Sequence, residues 1–151
     1  MRGLKKGYLI PICGNMSAQR WVGGEGIENA ASVAGFEGFR ADTFYFSAGD
    51  LGNLAGPADR RAGRSEAVVD ASGKKIRVHP HPKPDQVPTD GVQIPDHVSA
   101  LILLADGDSD FYSTAAAMAR AKTRQVKDGR DISIWWPPQG TDWAGLLSER
   151  A

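Results

Sequence analysis

The 151-residue sequence contains a single cysteine, Cys13. That excludes an intrachain disulfide and a structural Cys₄ or Cys₂His₂ zinc site, and it fits a reducing, cytoplasmic setting. No apolar run approaches the ~20 residues of a membrane span, so no membrane partner is expected. The opening Met1-Arg-Gly-Leu-Lys-Lys-Gly is basic, but the apolar segment behind it is short and interrupted by Pro11, unlike a signal-peptide core. Neither charge is in excess, since 18 Lys plus Arg stand against 18 Asp plus Glu. No global field draws the chain to a polyanion, and any nucleic-acid contact has to be local, metal-assisted or supplied by another domain.

The length suits one domain over 1–151, with room for a single sizeable core. Short strands are expected at 8–13 and 19–23, joined by a polar turn, and Pro11 places the first of them at a sheet edge. Ile27, Ala30, Ala31 and Ala34 recur at helical spacing, which predicts a helix over 26–34 with Gly35 as its C-terminal cap. Residues 43–47 are aromatic and β-favouring, and they run into the Gly- and Asn-rich loop 48–53. The apolar run 99–105 reads as a strand covered on both faces. A helix over 111–127, a strand over 131–136 ending at Pro137-Pro138, and a short helix over 143–148 complete the chain. Strands alternating with helices imply an α/β fold with a mostly parallel sheet, whose ligands gather at the carboxyl ends of the strands.

Between residues 56 and 95 the character changes. Six prolines fall there with few apolar residues, so the segment reads as an insertion. Within it, 66–70 and 75–79 flank Ser72-Gly73 as a small β-hairpin. Arg60, Arg61, Arg64, Lys74 and Lys75 make it locally basic and candidates for a nucleic-acid backbone, an ordinary solvated loop being the other reading. His79 and His81 flank Pro80 without a cysteine or third nearby histidine to complete a zinc site, and read as exposed loop histidines.

Chemistry concentrates after the buried strand, in Asp106-Gly-Asp-Ser-Asp. Three carboxylates at alternate positions repel one another unless a hard cation sits among them, and Mg²⁺ or Mn²⁺ prefers such oxygens. A solvated turn that caps the following helix is the plain alternative. Glu25 stands at a second strand end, in Val22-Gly-Gly-Glu-Gly-Ile-Glu. Gly49 and Asn53 lie in a loop of the type that offers backbone N–H groups to phosphate, although an ordinary turn is an equal reading.

Val22-Gly-Gly-Glu-Gly-Ile-Glu-Asn-Ala-Ala and Leu103-Leu-Ala-Asp-Gly-Asp-Ser-Asp together resemble the two signature motifs of Toprim domains. The tail Pro137-Pro-Gln-Gly-Thr-Asp is similar to the segment that ends many Toprim sheets. The resemblance is greatest to the Toprim domain of primases and primase-helicases from phages and mobile elements, and it covers the chain apart from the Pro-rich insertion. It implies a Toprim-like (Rossmann-like) sheet flanked by helices and a Mg²⁺-dependent nucleotidyltransferase acting in primer synthesis. By the same resemblance Glu25 is the general acid or base and Asp106 and Asp108 are the metal-binding pair, while the residues themselves make Glu25 and Asp110 further candidate ligands. Single-stranded DNA template and nucleotides are the implied partners, with a helicase or zinc-binding domain in the same or another chain. Metal-dependent nucleic-acid cleavage and a non-catalytic binding module are the alternatives. The sequence departs from the family pattern at Asp110-Phe111-Tyr112, where small residues are usual, and at Asp142-Trp-Ala-Gly, which lacks a second tail acid.

Overall fold

The computed structural model describes residues 6–148. Its centre is a five-stranded sheet built from β1 (Ile10–Gly14), β2 (Arg20–Gly24), β3 (Thr43–Ser47), β6 (Ala100–Leu104) and β7 (Asp131–Trp135). The spatial order is β1-β3-β2-β6-β7, with β1 antiparallel to β3 and every other pair parallel. The protein is therefore α/β with a mostly parallel sheet, as the alternating pattern predicts. Pro11 lies on the edge strand, where proline is tolerated, and the register shifts between Pro11 and Cys13. The first two strands do not pair with each other, because β3 lies between them.

Period-two alternation sorts the strand side chains onto two faces. Trp21, Phe44, Phe46, Leu101 and Leu103 pack with Leu54, Ala117 and Met118, from helices α2 (Leu51–Ala55) and α3 (Phe111–Gln125). Val22, Tyr45, Ile102 and Leu104 pack with Val33, Ala34, Trp143 and Leu147, from α1 (Ile27–Phe36) and α4 (Trp143–Ser148). A helical layer thus covers each face. Helix α1 continues through Gly35 to Phe36, and it is Gly38, with φ of 75°, that takes the left-handed conformation just beyond. Among the described residues no helix is long and apolar enough to cross a membrane.

The Pro-rich segment carries the expected hairpin, β4 (Glu66–Val69) with β5 (Lys75–Val78), and its later part supplies core residues, with Val92 and Ile94 buried beside Val98. Loop carbonyls there have no ladder partner, and arginines supply the donors. Arg120 donates to the carbonyls of Gly56 and His79, at 2.9 and 2.6 Å. Arg124 donates to Gln86 and to the carbonyl of Val92, and Arg130 to those of Pro95 and Val98. The segment is strapped to α3 and to the turn that follows it.

The registers set up the site. Gly24 pairs with both Ser47 and Leu104, and Leu104 with Trp135, so the four parallel strands end at one level. From β2 the chain crosses to β3 on one side, while β6 lies on the other, which makes the β2–β6 boundary a topological switch point. Backbones approach closely here. A Cβ on Gly24 would stand 2.7 Å from the carbonyl oxygen of Leu104. Gly24→Ala is expected to force β2 and β6 apart and to cost about 1–3 kcal/mol, read from the denaturation midpoint.

Candidate acidic site at the sheet's carboxyl edge

Glu25 follows β2 directly, and Asp106 stands two residues beyond β6. The Glu25 turn is fixed from its neighbour strand, because its carbonyl accepts from the Ser47 hydroxyl at 2.7 Å and from the Gly49 N–H at 3.0 Å. The Asp106 turn is fixed by the tail. Gly140 N–H donates to the carbonyl of Gly107 at 2.7 Å, and a Cβ at Gly107 would overlap the Thr141 carbonyl oxygen. The indole of Trp143 donates to the carbonyl of Ala105 at 3.1 Å, tying α4 to the same strand end.

The side chains placed on these turns perturb one another. Burial raises the pKa of Asp106 to about 6, helped by Asp108, with which a protonated Asp106 can share its proton, and by the charges of Asp108 and Glu25. Burial also raises Glu25, followed by the charges of Asp50 and Asp108. The acids brought together are therefore Glu25, Asp106 and Asp108, with Asp50 joining from β3. In the sequence Asp50 reads only as part of a Gly-rich loop, although the rule that singles out Glu25 and Asp106, an acid just past a parallel strand, applies to it as well. One Asp106 oxygen, Oδ1, is buried without a hydrogen-bond partner among the described residues.

Asp110 is held elsewhere. Its carboxylate caps α3, accepting from the Ser113 N–H at 2.8 Å, so the plain reading of the acidic turn applies to this residue. Asp142 likewise accepts from the Gly145 N–H at the start of α4. Gly49 spends its N–H on Glu25 and Ser47. Asn53 is buried, its amide donating to the carbonyls of Tyr8 and Ala48 while its oxygen accepts from the Gly7 N–H. Its backbone N–H goes to the Asp50 carboxylate that caps α2. The 48–53 loop thus turns its donors inward, and Asn53 acts as a structural bracket in place of the phosphate contact the sequence suggests.

The basic residues separate into two groups. Arg61 and Arg64 are paired with Asp59, a carboxylate only 2% exposed, whose pKa the Arg61 guanidinium holds far below the usual range. Lys74 and Lys75 are exposed at the hairpin turn. Arg60 instead lines a cleft of about 680 Å³ that also contains Lys6, Arg77, His79 and Arg120. His79 is half-buried there, unlike the exposed loop histidine expected, with its Nε2 3.3 Å from the Arg60 guanidinium. No carboxylate forms an ion pair with Arg60, Arg77 or Arg120 among the described residues. Ser113, Ala116, Ala117 and Arg120 line this cleft along one stripe of α3. Asp50 lies at it too, so the cationic cleft adjoins the acidic rim.

These features define the class: an α/β protein with a carboxylate cluster at the switch point of a parallel sheet and a cationic cleft beside it. No family model, no curated protein and no solved structure matches the chain. Among the described residues no three His, Cys, Asp or Glu side chains are gathered into a set able to hold a metal ion by themselves. Mg²⁺ does not require one, because it is commonly bound through one or two carboxylates, water and substrate phosphate. The unpartnered oxygen of Asp106, beside Asp108, suits that mode.

Because Asp106 titrates higher in the folded chain than the ordinary 3.8, the native state binds a proton that the unfolded state has released. The contribution of Asp106 to stability therefore falls as pH rises through the window from about 4 to about 6 and levels off above it. Asp106→Asn is expected to remove this fall and to be the more stable protein at pH 7. Thermal denaturation across the window checks both, and an unchanged profile in the variant would contradict them.

Proposed function

We propose that the chain is a Toprim-type catalytic domain that carries out Mg²⁺- or Mn²⁺-dependent nucleotidyl transfer on nucleic acid, as in primer synthesis. The observation that carries the reading is the meeting of Glu25, Asp106 and Asp108 at the switch point, with an Asp106 oxygen buried and unpartnered. Asp106 and Asp108 would hold the ion. A bound divalent cation offsets the charge that develops on attacking and leaving oxygens in phosphoryl transfer.

The chain's own residues supply the rest. Glu25, its pKa raised by burial and by its acidic neighbours, is suited to hold and release a proton at the attacking hydroxyl. The Gly107 turn, pinned by Gly140, orients Asp106 and Asp108 so that their mutual repulsion is not relieved by simple divergence. Arg60 and Arg77, both exposed and without a carboxylate partner among the described residues, would meet a phosphodiester backbone entering beside Asp50.

Two measurements test this. Template-directed synthesis of short RNA or DNA with Mg²⁺ or Mn²⁺ is expected in the wild type and to fall by at least about a hundredfold in Asp106→Ala, since metal-borne stabilisation amounts to several kcal/mol. Undiminished synthesis in that variant would exclude the site, and strand scission without incorporation would reassign it to cleavage. In binding to single-stranded oligonucleotide, the double variant Arg60→Ala/Arg77→Ala is expected to lower the slope of log K against log salt by about 1.4, roughly 0.7 for each phosphate that is no longer neutralised. Lys74→Ala/Lys75→Ala, at the exposed turn, should change it less.

A further inference from the structure

A second cleft, of about 560 Å³, opens against the acidic loop itself. It is lined by Phe111, Tyr112 and Trp136 together with Asp106, and by Val69 and Ala71 at one end of the insertion hairpin. The aromatic residues form one cluster. Phe111 lies 5.4 Å from Tyr112 and 5.1 Å from Trp136 between ring centroids. Yet Phe111 is 47% and Tyr112 39% exposed, so the cluster presents ring surface to the cleft where core packing would have covered it.

We infer that this cleft is a nucleobase-binding site, in which a base stacks on Phe111 and Trp136 beside the Asp106 loop. Charge decides between ligand types. The cleft's lining includes Asp70, Asp106 and Asp110 and no lysine or arginine among the described residues, so an anionic group gains nothing there by itself. A neutral, planar ring bearing N–H donors is compatible with both the aromatic faces and the acids. Gln139 lines the cleft with no hydrogen-bond partner among the described residues, and its amide offers a donor and an acceptor to a base edge. The volume falls in the range of small-molecule pockets and is far too small for a protein partner. Asp110, by capping α3, fixes the helix start that presents Phe111 and Tyr112. The bulk that departs from the family pattern at these two positions therefore has a use, and the hairpin gains one as the far wall of the site.

The inference rests on the proposed function for the identity of the ligand, and its test is a binding measurement made without divalent metal. In EDTA, adenosine is titrated against the wild type, and ribose 5-phosphate, which lacks the base, serves as the control. Binding is followed through the indole N–H resonances of the tryptophans. Adenosine is expected to shift the Trp136 indole signal and ribose 5-phosphate to leave it in place. Phe111→Leu, which keeps apolar bulk but loses the π face, is expected to weaken adenosine binding about tenfold, and Phe111→Trp to restore it. Equal binding of both ligands, or of adenosine by wild type and Phe111→Leu, would overturn the inference and leave the nucleotidyl-transfer reading standing. Adenosine binding through Phe111 in a protein that performs no synthesis would do the reverse.

Discussion

Mutual repulsion among carboxylates is the constraint around which this molecule is organised. Beyond burial, Asp108 and Glu25 raise the cost of ionising Asp106, and Asp50 and Asp108 raise that of ionising Glu25. The fold gives them little freedom to separate. Parallel strands that end at one level deliver their turns to the same edge, and those turns are pinned by Ser47 and Gly49 on one side and by Gly140 and Trp143 on the other. Holding these carboxylates at one edge raises the cost of ionising them near neutral pH, and a cation taken up there, as proposed, would offset that cost.

Opposite signs are segregated on a short scale in a chain whose net charge is zero. Glu25, Asp106 and Asp108 lie over the switch point, while Lys6, Arg60, Arg77 and Arg120 outnumber Asp50 and Asp90 in the neighbouring cleft. Helix α3 joins the two, with Asp110 and Phe111 at its start facing the acidic loop and Arg120 farther along it. At 1.5 Å per residue, Ser113 and Arg120 are about 10 Å apart along the helix, a span on the scale of a few nucleotides of backbone. Local placement thus supplies the field that composition withholds.

The sheet was legible because its signals are local and periodic. The apolar run at 100–104, the aromatic strand at 43–47 and the acids just past two strand ends all follow from patterning and from the rule that parallel sheets expose their carboxyl edge. Pro11 marks its strand as an edge for a reason that does not depend on long-range contacts. What composition could not reveal was partner choice. Whether Arg60 or Arg61 is available depends on Asp59 being buried beside the latter, and whether Asn53 meets a ligand depends on Tyr8 and Gly7 arriving from another part of the chain. A half-buried ring and a buried one are indistinguishable in a strand pattern, and it is the contact with Phe111 that places Trp136 at a cleft.

Asp106 is proposed to take up a cation within its acidic cluster, and carboxyl-carbon NMR titration of that residue tests this most directly. Without divalent metal Asp106 is expected to titrate near pH 6, to move lower in Glu25→Gln, and to lose its proton at markedly lower pH when Mg²⁺ is added. Titration at the ordinary 3.8, indifferent to both Glu25→Gln and Mg²⁺, would contradict the account.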